Sequence, residues 1–212
     1  MIFDQVDGVL FDMDGTLVDS EPKTLRAIDA VLADRALVAP GLSAVAVFGR
    51  SWSDIADQLK VIHPSLREID VEAALVKQFR RICIADGVSL VPGSDLFFAE
   101  VAQRYPVGLF TSNVRSEVDA LLGEHPVFQG LRAIVTAEDV EHAKPSPEGY
   151  LLLAEILTLN PARCVVFEDS VAGLTAARAA GMRTVGVTHG CPDASLLAPH
   201  AYRLIQDYRA LL

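Results

Sequence analysis

The chain is poor in cysteine and holds no paired cysteine motif. Its 212 residues include three cysteines, which are Cys83, Cys164 and Cys191. They are odd in number and widely spaced, and they form neither a C-x-x-C pair nor a cysteine and histidine pattern of the kind that binds zinc. This spacing favours reduced thiols in a cytoplasmic protein.

Positive charge is also scarce. The chain has 18 lysine and arginine residues against 28 aspartate and glutamate residues, so its formal net charge is −10. That balance opposes binding to nucleic acid phosphates and to anionic membrane surfaces. We therefore expect neither nucleic acid nor a membrane as a partner, although a local basic pocket is compatible with this charge.

Long hydrophobic runs are missing as well. No stretch reaches the roughly 18 apolar residues that a membrane span needs, and the opening MIFDQ lacks the basic segment of a secretory signal. With 51% hydrophobic and 22% charged residues, the composition is typical of a folded globular protein. The expectation is a cytoplasmic protein that is a monomer or a small homo-oligomer.

Short apolar runs recur along the chain and predict buried strands. They lie at 6–11, 107–110, 133–136, 164–167 and 184–187. Helical patterns separate them, so that strand and helix alternate from about Pro92 onward. This alternation predicts an α/β fold with a Rossmann-like parallel sheet and helices on both faces, in which ligands bind beyond the carboxyl ends of the strands.

Capping residues mark the predicted ends of two helices. Ser146 and Pro147 predict a helix start, with Ser146 as the N-cap and Pro147 at the first helical position. Ser170 predicts the N-cap of a later helix, and Gly181 suits the left-handed position after its end.

The segment between Ser20 and about Gly87 has a different character. It shows no convincing strand and predicts three helices, at about 22–34, 53–61 and 65–84. Asp19 and Ser20 are expected to cap the first of these helices.

A helical block that follows the first strand predicts two domains. The catalytic core would comprise 1–19 and 88–212, and a helical cap domain would comprise 20–87. Pro22 and Pro92 mark both junctions as candidate hinges.

Four polar segments fall where strands are predicted to end. They are DMDGT at 12–16, TSN at 111–113, KP at 144–145 and EDS at 168–170. Because parallel strands end at one edge of a sheet, these segments should meet there. Carboxylates suit Mg²⁺, an aspartate can attack phosphorus, and lysine and hydroxyl groups can face phosphate oxygens. The set therefore predicts a phosphoryl-transfer site.

A calcium-binding EF-hand loop is a poorer interpretation of the first segment. In such a loop that starts at Asp12, the sixth position would be Leu17 and the twelfth Lys23. The EF-hand requires glycine and glutamate there.

Taken together, the four segments resemble the motifs of the haloacid dehalogenase superfamily of phosphatases and phosphomutases. The motifs stand in the order of that family and cover the core half of the chain. They are DxDGT followed by LVDS, then FEDS and AGM at 180–182. The helical insertion resembles the small cap of the subgroup that contains phosphoglycolate phosphatase and β-phosphoglucomutase. The resemblance implies a Mg²⁺-dependent phosphatase that acts on a small phosphorylated metabolite, a sugar or polyol phosphate.

The resemblance also implies a role for each acidic motif residue. Asp12 would be the nucleophile and a Mg²⁺ ligand. Asp14 would be the general acid and base, with its backbone carbonyl on the metal. Asp169 would complete the metal site, and Glu168 would either bind the metal through water or support a ligand by hydrogen bonding.

The remaining motif residues would hold the transferring phosphoryl group. Thr111 matches the hydroxyl that binds it, with the Ser112 amide and Asn113 beside it. Lys144 would supply positive charge to the phosphoryl group and to Asp12, and such electrostatic stabilisation is the main catalytic effect expected.

In the predicted cap, Gly49, Arg50, Ser51 and Trp52 precede the second helix, where related caps place a loop over the active site. Arg50 is a candidate for binding a substrate group. The alternative is a surface arginine beside a core tryptophan.

Three other activities are alternatives to hydrolysis. Asp14 argues against a dehalogenase, because a halide leaving group needs no proton. A phosphomutase like β-phosphoglucomutase is an alternative, but its cap carries histidine, lysine and arginine where this chain has Thr24, Phe48 and Trp52. A non-catalytic binding protein for phosphorylated metabolites is another, and it predicts loss of motif residues that are present here.

Overall fold

A parallel sheet of six strands lies at the centre of the molecule. The computed structural model describes residues 2–38, Val47, 50–191 and 193–212. The described residues form eight strands, of which all but β2 and β3 belong to this sheet: β1 (Gly8–Phe11), β2 (Val18–Asp19), β3 (Ser89–Leu90), β4 (Val107–Phe110), β5 (Ala133–Val135), β6 (Cys164–Glu168), β7 (Arg183–Val187) and β8 (Arg203–Ile205). The sheet order is β5-β4-β1-β6-β7-β8, and every neighbouring pair is parallel. This confirms the predicted α/β fold.

Seven α-helices lie in the described part of the chain. They are α1 (Glu21–Ala33), α2 (Trp52–Ile62), α3 (Val71–Asp86), α4 (Ser94–Arg104), α5 (Arg115–Gly123), α6 (Glu148–Ile156) and α7 (Val171–Ala179). Residues of α4 and α5 pack on one face of the sheet, and residues of α6 and α7 pack on the other. A sheet covered on both faces explains why its central strands are continuous apolar runs rather than alternating ones.

The register of the sheet sets where the site forms. Phe11 in β1 pairs with Leu109 in β4 and with Phe167 in β6. One residue further on, the chain reaches Asp12 and Glu168 on adjacent strands. The motif residues therefore leave the sheet at one edge, as the sequence predicted.

Helices α1, α2 and α3 form a second, smaller core. Its members are apolar side chains that the three helices turn toward each other, among them Ile28, Leu32, Ile55, Leu59 and Leu75. The chain passes between this block and the sheet through an antiparallel ribbon of β2 and β3, in which Val18 pairs with Leu90. The sequence analysis did not foresee this ribbon, because two-residue strands are too short to show a period.

Two predicted helix starts differ from the structure. The helix predicted at 65–84 is a 3-10 segment at Pro64–Glu68 followed by α3, because the Asp70 carboxylate accepts from the Ala73 amide at 3.0 Å and caps a new helix. Helix α6 begins at Glu148, and Pro147 occupies the N-cap position in place of Ser146.

The predicted start and end of the later helix are confirmed. Ser170 caps α7 by accepting from the Gly173 amide at 3.0 Å, and Gly181 adopts a left-handed φ of 78° after its end. Within the described residues, the helices are too short and too polar for any of them to cross a bilayer.

Candidate active site

Three buried carboxylates meet at the carboxyl edge of the sheet. Asp12 follows β1, Glu168 ends β6 and Asp169 comes directly after it. One carboxylate oxygen from each lies within 4.8 Å of the others. Their side chains are nearly inaccessible to solvent, so each charge needs a partner in the protein or a bound cation.

Lys144 lies against two of these carboxylates. Its Nζ donates to Asp12 Oδ1 at 2.5 Å, to Glu168 Oε1 at 2.6 Å and to the Phe110 carbonyl at 3.3 Å. Burial disfavours the ammonium, but the carboxylates of Asp12 and Glu168 outweigh it and hold the pKa of Lys144 well above its usual range. Lys144 is therefore a fixed positive charge beside Asp12.

The cluster carries more negative charge than one lysine can balance. Burial raises the pKa of Asp12 and of Asp169 well above the usual range, and neighbouring carboxylates raise both further. Within the described residues, Lys144 is the one cation hydrogen-bonded to these groups. A donor set made only of oxygen atoms, with unbalanced negative charge, fits a hard divalent cation.

Asp14 is held by two neutral donors. Its Oδ1 accepts from the Ser20 hydroxyl, and its Oδ2 accepts from the Asn113 side-chain amide at 2.5 Å. Burial raises the pKa of Asp14, and these hydrogen bonds oppose the shift without cancelling it. A raised pKa suits a carboxyl group that must donate a proton.

Ser20 occupies the predicted N-cap position of α1, but neither Asp19 nor Ser20 caps the helix with its side chain. The Ser20 hydroxyl donates to Asp14 rather than accepting from an amide of the helix. Asp19 lies in β2, and its Oδ2 is 3.3 Å from His189 Nε2. The structural role predicted for Ser20 is thus replaced by contact with a motif residue.

Gly15 and Thr16 shape the turn between Asp14 and the cap. Gly15 adopts a φ of 70°, and a Cβ at this position would overlap the Asp169 carboxylate. Thr16 Oγ1 donates to Asp169 Oδ1 at 3.3 Å. The motif glycine and threonine therefore allow the turn after β1 to lie against the Asp169 carboxylate.

Both oxygens of Glu168 are engaged within the protein. Oε1 accepts from Lys144, and Oε2 accepts from the Ser170 amide and hydroxyl, each at 2.8 Å. A Cβ at Gly173 would overlap this carboxylate, so α7 can approach it only with glycine there. Glu168 is oriented to hold Lys144.

The segment at 111–113 lies between β4 and α5. Thr111 is buried, and its Oγ1 accepts from the Asn113 amide at 3.2 Å. The N-cap position of α5 belongs to Val114. The side chains of Thr111 and Ser112 therefore do not cap that helix, and both residues line the cavity described next.

A cavity of about 660 Å³ covers the acidic cluster. Its walls contain every residue that the sequence predicted for the site: Asp12, Asp14, Arg50, Thr111, Ser112, Asn113, Lys144, Glu168 and Asp169. The helical block contributes Thr24, Trp52 and Phe79 to the opposite wall, and the rings of Trp52 and Phe79 meet edge to face at 5.1 Å. Phe48 lies outside the described residues.

Sequence reasoning missed several residues that line the cavity. Val171 and Thr175 come from α7, and Cys191, Leu196 and Leu197 come from the segment after β7. That segment also follows the carboxyl end of a strand, which is the one signal that could have indicated it. His142 is exposed, and its Nδ1 lies 2.9 Å from Glu148 Oε2.

The sequence profile of haloacid dehalogenase-like hydrolases matches residues 6–181. This chain belongs to the haloacid dehalogenase-like hydrolases. A fructose-1-phosphate phosphatase of Escherichia coli is 32% identical to this hydrolase over 188 residues, which cover 88% of this chain and 98% of the relative. A phosphoglycolate phosphatase of Yersinia pseudotuberculosis is 33% identical over 196 residues, which cover 89% of this chain and 83% of the relative.

Two solved structures share the fold of this chain. A hydrolase from Deinococcus radiodurans, crystallised with phosphate and sodium, superposes with a TM-score of 0.76 at 26% identity, and the match covers 98% of this chain and 93% of the other. The β-phosphoglucomutase of Clostridium difficile gives 0.79 at 19% identity, covering 98% and 93%. That second likeness shows the fold alone. With named phosphatases among its relatives, this hydrolase is a phosphatase.

Proposed function

We propose that this phosphatase hydrolyses a sugar or polyol phosphate with Mg²⁺ through an aspartyl phosphate on Asp12. The observation that carries the proposal is the buried set of Asp12, Lys144 and Asp169, with Asp14 beside it under separate hydrogen bonds. This set combines a nucleophile, a positive charge, a cation site and a proton donor in one cavity.

The metal site is assigned to Asp12, Asp169 and the backbone carbonyl of Asp14. Bound Mg²⁺ would neutralise charge on the phosphoryl oxygens. Glu168 is assigned to the support of Lys144, because both of its oxygens already accept hydrogen bonds from Lys144 and Ser170. This choice decides between the two roles that the sequence left open for Glu168.

In the first chemical step, an Asp12 carboxylate oxygen forms a bond to phosphorus as the bond to the leaving oxygen breaks. Asp14 gives its proton to that leaving oxygen, so that a neutral alcohol departs. In the second step, Asp14 takes a proton from water as the water oxygen bonds to phosphorus. The bond between Asp12 and phosphorus breaks, which returns the carboxylate and yields inorganic phosphate.

The phosphoryl group is assigned to Thr111, the Ser112 amide and Lys144. Thr111 and Ser112 line the cavity beside Asp12, and Lys144 already contacts that carboxylate. Asn113 is assigned a second role, because its side-chain amide orients Asp14 for proton transfer.

The helical block at 20–87 is assigned the role of a cap that selects the leaving group. Arg50 is exposed on the cavity wall, and its guanidinium has no hydrogen bond or ion pair with the described residues. An unpaired guanidinium there can bind a polar group of the substrate. The cavity volume and the relative named fructose-1-phosphate phosphatase support a sugar-sized substrate.

Hydrolysis is preferred over phosphoryl transfer to a second sugar phosphate. Thr24 and Trp52 line the cavity where the related mutase has ionisable groups. A wall with a half-buried indole offers fewer polar contacts for holding a second phosphorylated molecule in place of water.

The proposal is tested by phosphate release from a panel of sugar, polyol and small acid phosphates, with Mg²⁺ or with EDTA. We expect metal-dependent release from a few sugar or polyol phosphates. Release from none of them, or release that EDTA leaves unchanged, contradicts the proposal.

The assignment of Arg50 has its own test on the same panel. Arg50→Ala is expected to raise KM several-fold for the best substrate, with a smaller change in kcat, because the lost contact is made in the ground state as well. Arg67→Ala on the 3-10 segment, which is exposed and does not line the cavity, is the control. Unchanged kinetics for Arg50→Ala over the whole panel would contradict this assignment and leave Arg50 as a surface residue that does not bind substrate.

A further inference from the structure

Tyr150 lies behind the acidic cluster and belongs to none of the motifs. It is in the first turn of α6, and its side chain is fully buried. Its ring meets that of Phe110 edge to face, with the centroids 5.0 Å apart. Lys144 Nζ lies 4.9 Å from the Phe110 centroid and 5.5 Å from the Tyr150 centroid. The two rings thus form an aromatic corner around the ammonium.

The phenol of Tyr150 is costly where it stands. Its oxygen is buried and has no hydrogen-bond partner among the described residues. A buried hydroxyl without a partner loses its contact with water and gains nothing in return. Phenylalanine would fill the same space without that cost, so the hydroxyl does not serve stability.

Lys144 is the cation beside this phenol, with its Nζ 5.5 Å from the ring centroid. Burial raises the pKa of Tyr150 well above its usual value, and the nearby Lys144 opposes this shift without reversing it. The phenol therefore stays neutral, and its oxygen can face an ammonium without adding charge to a site that already holds Asp12 and Glu168.

The hydrogen bonds of Lys144 leave room for such a contact. An ammonium has three protons to donate, and here they point to Asp12, Glu168 and the Phe110 carbonyl, the last at a long 3.3 Å. Once Asp12 carries the phosphoryl group it is an ester without the carboxylate charge, so a phosphoryl oxygen takes the proton that Asp12 now accepts. The proton that makes the weakest contact, with Phe110, is then free to turn to the Tyr150 oxygen, and the three acceptors of the ammonium become the phosphoryl oxygen, Glu168 and Tyr150.

We propose that Tyr150 is a positioning residue for Lys144, in which the ring closes the aromatic corner and the hydroxyl anchors the ammonium beside Asp12 during phosphoryl transfer. The inference rests on the proposed function, since it takes Lys144 as the group that clamps the phosphoryl oxygens. A Cβ at Gly149 would overlap the Phe110 ring. The aromatic corner is therefore tightly packed.

The kinetic test compares Tyr150→Phe with wild type, both with Mg²⁺ and with the best substrate of the panel. We expect kcat to fall about tenfold, the effect of losing one hydrogen bond to a charged group, while KM changes less than about twofold. The thermal midpoint should stay the same or rise, since the orphan hydroxyl is gone. A purely structural role predicts the opposite pattern, with a lower midpoint and an unchanged kcat.

The chain offers a matched control in Tyr208. Its hydroxyl is also buried without a partner among the described residues, and its ring stacks on Phe97 at 5.0 Å, in the other core cluster. Tyr208→Phe should leave kcat unchanged, with a thermal midpoint equal to or above that of wild type. The inference is overturned if kcat of Tyr150→Phe stays within twofold of wild type, or if Tyr208→Phe lowers kcat equally.

A second measurement does not depend on turnover. Unfolding midpoints are measured for Tyr150→Phe, Lys144→Met and the double variant, and the cycle is repeated with Tyr208→Phe. Non-additive midpoints for the Tyr150 pair, with additive ones for the Tyr208 pair, support the contact between phenol and ammonium. Additive midpoints for both pairs overturn it. If wild type releases no phosphate from any substrate, the proposed function falls while this cycle still decides the contact.

Discussion

At the scale of single residues, Ser20 shows a role that local sequence could not predict. A serine just before a helical pattern is normally an N-cap, yet its hydroxyl donates to Asp14. The Asp14 carboxylate is the acceptor in this hydrogen bond, and the DxDGT motif places it on the turn after β1. Asn113, which is 99 positions away from Asp14 in the chain, approaches the same carboxylate only because β1 and β4 are neighbours.

Ser20→Ala should therefore change activity rather than stability. We expect kcat to fall by about tenfold, because Asp14 loses one of two donors that orient it, while the free energy of unfolding changes by less than about 0.5 kcal/mol. Steady-state kinetics and chemical denaturation measure the two quantities.

The control for this prediction is Asp70→Ala, which removes a real cap. The Asp70 carboxylate accepts from the Ala73 amide at 3.0 Å, so its loss should cost about 1 kcal/mol of stability and leave kcat unchanged. A loss of stability in Ser20→Ala as large as that in Asp70→Ala would contradict the assignment.

At the scale of elements, the strands of the sheet were predictable and the shorter elements were not. Apolar runs such as the one ending at Phe11 are buried on both faces and leave a clear signal. Strand β8 and the ribbon of β2 and β3 are two or three residues long, so no period can develop. The spacing of the motifs predicted the residues of the site. Tyr150 and the segment around Leu196 belong to no motif, and only the packing of the helices and the path of the loop after β7 bring them to the site.

Helices α3 and α5 make a contact that joins the helical block to the core. Arg80 on α3 donates to Glu117 on α5 at 3.3 Å and to Ser116 at 2.9 Å. Glu117 is buried, and burial raises its pKa above the ordinary value of 4.5, while Arg80 opposes the shift. The folded protein thus holds a proton on Glu117 to higher pH than the unfolded chain does. This contribution lowers stability as pH rises through that range.

Glu117→Gln removes this titration. Relative to wild type, its free energy of unfolding should increase as pH is raised from about 4.5 toward neutral, by the linkage relation. Denaturation at a series of pH values measures the difference. If the difference in unfolding free energy between variant and wild type stays constant or falls as pH rises, the buried state of this carboxyl group is contradicted. The control is Glu100→Gln, at the exposed pair of Glu100 with Arg104.

At the scale of the whole molecule, excess negative charge is concentrated where a cation is proposed. The chain has a formal charge of −10, and Asp12, Glu168 and Asp169 are buried together. Mg²⁺ should therefore stabilise the folded protein, by about 2.7 kcal/mol at a concentration 100 times its dissociation constant. The thermal midpoint, measured against Mg²⁺ concentration, reports this gain.

Two variants make the metal prediction specific. Asp169→Asn should remove most of the Mg²⁺ effect and stabilise the metal-free protein, because one buried negative charge is gone. Asp57→Asn, at an exposed pair with Lys60, should keep the full effect. An equal Mg²⁺ response in all three proteins would contradict a metal site at the cluster.

The central claim is that Asp12 carries the phosphoryl group, and it is tested most directly by phosphate release from Asp12→Asn. The assay uses the best substrate of the panel with saturating Mg²⁺, and the variant is first shown to be folded by its unfolding midpoint. The account predicts no release above the blank, because an amide cannot form the aspartyl phosphate. Release at the wild-type rate would contradict it.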